Sequence, residues 1–163
     1  MKTWKGFRLC AIDGSQVRLP KEPKLQAYFG CQSGKAGQAT QTMGLASVYY
    51  DVLNEVALDA CLEPTTASEK DCLAYHLEVA QERDLLLLDR GYCAFWVMNL
   101  LLQRQQAFCL RATTGRDLVA KQFIESGARE ATVVYTPNRT SREHCEQFGL
   151  PTEPITLRLI RVD

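Results

Sequence analysis

A chain of 163 residues, 46% of them hydrophobic, is long enough to bury a sizeable apolar core. It holds no run of about 18 apolar residues that would predict a membrane span, and its opening "MKTWKGFRLC" lacks the apolar centre of a secretory signal. The zero net charge hides an uneven spread: seven Lys/Arg against two acids in residues 1–45, two against ten in 46–89, and ten against seven in 90–163. Basic ends of this kind can face nucleic acid while an acidic middle faces solvent.

The first predicted element is a short buried strand in "FRLCAIDGS" (7–15), ending on Asp13 with Gly14-Ser15 as its turn. Residues 18–38, with three glycines and two prolines, read mostly as loop. The "GCQSGKAG" within them is no Walker A loop, because three residues separate Gly30 from Gly34 and Ala36 follows Lys35. Two strands follow in "ATQTMGLASVYYDVL" and "NEVALDACLEP", joined near Asp51–Asn54. Ser68 is a helix N-cap, with Asp71 where a capping box prefers Glu, and the helix is expected to run to about Arg83 on Leu73, Leu77 and Ala80.

"DLLLLD" (84–89) has the unbroken apolar run of a strand covered on both faces. An apolar helix (93–105) and a short strand (107–112) come next, and "TTGRD" then breaks the pattern. "ATVVYTP" (131–137) and "ITLRLIRV" (155–162) alternate like sheet strands. A β-rich start followed by β-α-β-α-β is a mixed α/β layout, and the crossover rule makes "LLLLD" a parallel neighbour of "LCAID".

Parallel neighbours lie roughly 4.8 Å apart, so Asp13 and Asp89 are expected to leave the sheet close together at its carboxyl edge. Two carboxylates about 5 Å apart repel by roughly 3 kcal/mol at an effective dielectric near 20. Such a pair holds either a proton or a cation, and oxygen ligands suit Mg²⁺ or Mn²⁺. The competing reading is plain turn chemistry at Asp13-Gly14 and a plain strand end at Asp89.

The segments "AIDGSQVRLP", "YFG", "GLASVYYDVLNEVALDA", "SEK" and "LLLLDRGY", in this order, resemble the catalytic domain of DDE transposases from bacterial insertion sequences. The match is to the group whose last acid lies in a Tyr-Arg-Glu-Lys signature. The resemblance implies an RNase H-like core over residues 1–112, a mixed sheet flanked by helices, and the start of a β-rich insertion over 113–163. It also implies a two-metal Mg²⁺ or Mn²⁺ site, with phosphodiester hydrolysis and strand transfer at transposon ends. Asp13 and Asp89 match the first and second catalytic and metal-binding aspartates; Arg90, Gly91 and Tyr92 complete the second motif. Candidate DNA contacts are Ser15, Arg18, Lys35, Arg90, Tyr92 and Arg111, beside the basic Lys21 and Lys24.

The third acid of the signature has no match here, since "YTPNRTSREHCEQF" lacks its spacing; Glu143 and Glu146 are poor substitutes. The expected state is therefore a partial chain without the third-acid helix or an N-terminal DNA-recognition domain, inactive alone. Implied partners are transposon and target DNA and a second copy in a synaptic complex, in the bacterial cytoplasm at the nucleoid, with no membrane. Another RNase H-like nuclease and a non-catalytic DNA-binding remnant are the alternatives. Trp96 and Phe95 read as core. The seven cysteines, with no C-x-x-C pair, read as reduced and mostly buried in a cytosolic protein, and Cys72 with His76 is too few ligands for zinc.

Overall fold

A computed structural model describes residues 1–32, 41–115 and 117–162. These form a mixed α/β chain of eight strands and five helices. It divides into two compact units, Met1–Leu88 and Asp89–Asp163, so the boundary expected at residue 112 falls inside the second unit.

The first unit is built on β1 (Arg8–Arg18). Strand β1 pairs antiparallel with β3 (Gln41–Asp51) and parallel with β5 (Asp84–Leu88). Strand β4 (Val56–Pro64) lies antiparallel on β3, with a bulge at Tyr49/Tyr50, and β2 (Cys31–Gln32) adds a two-residue ladder at the start of β3. The β3–β4 connection is a turn in which the Asp51 carboxylate accepts from the main chain and side chain of Asn54. The expected parallel pairing of "LLLLD" with "LCAID" is present, with Ala11 beside Leu87.

Three local readings of the sequence need correction. Strand β1 does not end at Asp13: it continues through Gly14-Ser15 to Arg18, because β3 offers a partner for every residue from Cys10 onward. The stretch expected as loop contains helix α1 (Pro23–Phe29), started by Pro23, whose fixed φ suits a first turn, and stopped at Gly30, which has φ of 89°. Helix α2 (Glu69–His76) has its capping box, with Ser68 Oγ accepting from Asp71 N and Asp71 Oδ2 accepting from Ser68 N. It ends well short of Arg83, because the Asp84 carboxylate takes the Gln81 N–H at 2.8 Å and closes a turn into β5.

Cys10, Ile12, Leu45, Tyr49, Leu73, Leu77, Leu86 and Leu88 are buried. At the foot of the β1–β5 ladder the Arg8 guanidinium donates twice to Asp84, at 2.7 Å each, and the Tyr49 hydroxyl donates to the same carboxylate. Burial by itself would raise the Asp84 pKa, but hydrogen bonds from Arg8, Tyr49 and Gln81 prevail and hold it below the usual carboxylate value.

In the second unit, a single 3₁₀ turn (Arg90–Tyr92) leads to α3 (Phe95–Gln103) and β6 (Ala107–Leu110). Helix α4 (Leu118–Glu125) is capped by Asp117, whose Oδ1 accepts from Val119 N and Ala120 N. Strands β7 (Glu130–Tyr135) and β8 (Ile155–Ile160) form an antiparallel pair, connected through α5 (Arg139–Gln147). Residues 113–163, expected to be β-rich, thus hold two helices as well as two strands. Trp96 is buried and stacked on Phe148, with ring centroids 4.5 Å apart, which makes it a core residue. Among the described residues, no helix is long and apolar enough to cross a membrane.

Candidate active site

Asp13 is exposed on β1, two residues beyond the last β1–β5 pair. One carboxylate oxygen, Oδ1, accepts from Gly14 N at 2.9 Å, and its main-chain oxygen accepts from the buried Ser47 hydroxyl at 3.2 Å. Gly14 is not a turn residue. A Cβ built there would lie 2.7 Å from Glu69 Cγ, so a glycine lets the start of α2 cross β1 at close range.

Asp89 follows β5 and occupies the cap position of the 3₁₀ turn, where its main-chain oxygen accepts from Tyr92 N. Its carboxylate makes no cap bond. An aspartate at a helix start ordinarily spends its side chain on the exposed N–H groups; this one does not. It is 61% exposed, and Arg111 Nη1, 74% exposed, lies 4.0 Å away. So exposed a pair is strongly screened, and a metal ion or a phosphate can displace either partner.

The remaining expected contacts divide by accessibility. Ser15, Arg18, Arg90 and Arg111 are exposed. Tyr92 is 1% exposed and belongs to the packing beneath the motif, not to a DNA-facing surface. Lys35 lies outside the described residues. Glu143 is on α5, where its carboxylate accepts from Arg139 at 2.9 Å.

Each carboxylate, taken within its own unit, is a hard oxygen donor of the kind that suits a divalent cation. Asp13 and Asp89 offer carboxylate oxygens on exposed positions, and Mg²⁺ is commonly held by one or two carboxylates with waters and substrate phosphates completing the shell. Among the described residues no group of three or more His, Cys, Asp or Glu is placed to hold a metal ion. Cys10 is fully buried, and burial raises its thiol pKa, so it is not a poised nucleophile.

A second polar constellation in the first unit was not anticipated. His76 Nδ1–H donates to Asp59 Oδ2 at 2.7 Å, and Nε2 lies 3.1 Å from Ser47 Oγ. His76 and Ser47 are fully buried. The available signal was a serine inside the apolar run of β3 and a histidine beside Leu73 and Leu77 on the covered face of α2, since buried polar side chains require partners.

Over 128 residues, 76% of its length, the chain is 31% identical to a protein of Escherichia coli (strain K12) named "Putative transposase InsZ". It spans 42% of that relative. No family model matches the chain.

Proposed function

We propose that the chain carries the first part of an RNase H-like catalytic core of a DDE transposase, acting on DNA through Mg²⁺ or Mn²⁺ held by Asp13 and Asp89. The observation that carries this reading is the β1–β5 ladder: it is parallel, ends at Ala11 beside Leu87, and each strand reaches an exposed aspartate two residues later. Ligands of open α/β sheets bind at the carboxyl ends of such strands, and the relative's name supplies the transposase class.

In this reading Asp13 and Asp89 present hard oxygen donors, and the paired strands β1 and β5 behind them keep those donors fixed. Bound metal supplies Lewis-acid polarisation of a phosphoryl oxygen and a water of lowered pKa. Arg18, Arg90 and Arg111, all exposed, neutralise phosphate charge, and the exposed Ser15 hydroxyl donates to a phosphate oxygen. Transposon ends and target DNA are the substrates, and a second copy joins in the synaptic complex.

Mn²⁺ titration against thermal stability tests the reading. A cation bound to the native state at 100 times its Kd stabilises by about 2.7 kcal/mol, so the wild type should gain several degrees while Asp13→Asn and Asp89→Ala gain less. Equal gains in all three proteins would sink the proposal.

A further inference from the structure

We infer that Asp59 and the buried His76 and Ser47 form a relay that positions Asp13, fixing its main chain so that its carboxylate meets the cation in one orientation. The inference rests on the metal-binding reading of Asp13 and lies wholly within Met1–Leu88.

The hydrogen bonds run in one line. The Asp59 carboxylate can only accept, so Nδ1 of His76 carries a proton and the ring is held in one orientation. The single Ser47 hydrogen is donated to the main-chain oxygen of Asp13 at 3.2 Å, so Ser47 Oγ accepts at 3.1 Å from Nε2–H of His76, whose two ring nitrogens both donate. Three elements contribute: Asp59 on β4, Ser47 on β3 and His76 at the end of α2. Tyr49 flanks the imidazole with ring centroids 6.1 Å apart, and Cys61 Sγ lies 4.0 Å from Nε2.

A fully buried histidine and serine are costly unless bonded, and purely structural needs are met more cheaply by apolar side chains. What distinguishes this network is where it ends. It terminates on the residue whose carboxylate is exposed past the end of the parallel ladder. Groups behind a metal ligand that fix its orientation commonly change metal affinity by 10–100-fold when removed.

Gly14 provides a local reporter, because its N–H donates to Asp13 Oδ1. Its amide resonance follows the orientation of that carboxylate, with or without metal. Asp59 is partly exposed and two strands away from Asp13, so Asp59→Ala removes the far end of the relay without touching the ligand. Expected results are a shifted Gly14 amide and about tenfold weaker Mn²⁺ binding in Asp59→Ala and in Ser47→Ala, with both restored in Asp59→Asn, which keeps an acceptor for Nδ1–H. Loss of stability with an unmoved Gly14 resonance and unchanged affinity would assign the network to packing alone and overturn the relay. Mn²⁺ broadening of Gly14 that is absent in the wild type, or the same in Asp13→Asn, would overturn the metal reading and leave the relay nothing to position. Should Ser47→Ala fail to fold, the Asp59 pair decides alone.

Discussion

Asp84→Ala removes the group that pins β1 to β5. The carboxylate is 1% exposed and accepts from both Arg8 nitrogens at 2.7 Å, from Tyr49 and from Gln81 N at 2.8 Å. Truncation leaves a largely buried guanidinium and a buried phenol without that acceptor, and breaking a buried pair on one side costs about 3–5 kcal/mol. In a chain of this size each kcal/mol moves the thermal midpoint by about 2–4 °C, which gives a fall of roughly 6–20 °C. Scanning calorimetry at pH 7 measures it. The Asp84 pKa is depressed in the folded state, so its contribution is fully present above the unfolded value of about 3.9. It is lost as pH falls through the lower folded value. The gap between wild type and variant should therefore stay constant from neutral pH down to about 5 and narrow below about 4. A loss under about 1 kcal/mol at pH 7, within the range of an ordinary surface substitution, or a gap that does not narrow in acid, would refute this account of the ladder.

Gly14→Ala drives a methyl to 2.7 Å from Glu69 Cγ and should cost about 1–3 kcal/mol, recovered in large part by Glu69→Ala. An equal cost with and without Glu69 would show that the close crossing is not the cause. Ser68→Ala removes the side-chain half of the capping box, the acceptor for Asp71 N, and should cost about 0.5–2 kcal/mol, with faster amide exchange in the first turn of α2 and unchanged exchange in β1. Alkylation at pH 8 should modify the exposed Cys31 and Cys109 first. Cys10 and Cys72 should resist, because burial raises both thiols, Cys72 to about 12 with help from Cys61. Mass spectrometry finding Cys10 labelled ahead of Cys31 would contradict the packing of β1.

Much of the first unit is legible in the sequence because its signals are local. The apolar run 85–88, the Ser68 cap and the strand pair around Asp51–Asn54 each depend on neighbours within a few residues. Errors arise where a partner distant in sequence overrides the local pattern. Asp13-Gly14 has turn chemistry, yet β3 extends β1 through it, and the glycine serves a helix start 55 residues away. Helices α4 and α5 were missed, although Asp117 and Asn138 mark their starts as side-chain caps. The Asp59–His76–Ser47 network joins residues from three elements, and no spacing rule brings them together.

The position of Asp13 follows from strand parity and ladder length. Cys10 and Ile12 point toward α2 with Ser47 and Tyr49, so residues 11, 13 and 15 face the other way. A carboxylate at 11 would lie inside the parallel ladder beside Leu87; at 12 or 14 it would turn toward α2, where Glu69 already crosses. Residue 13 is the first beyond the ladder on the face away from α2. Asp89 meets the same condition on β5, since Leu86 and Leu88 are buried and the next residue is the first exposed one. Both carboxylates thus lie just past the last β1–β5 pair, where main-chain rigidity is inherited from the sheet and the side-chain oxygens remain accessible. A plain turn does not explain Asp13, because β1 runs straight through Gly14.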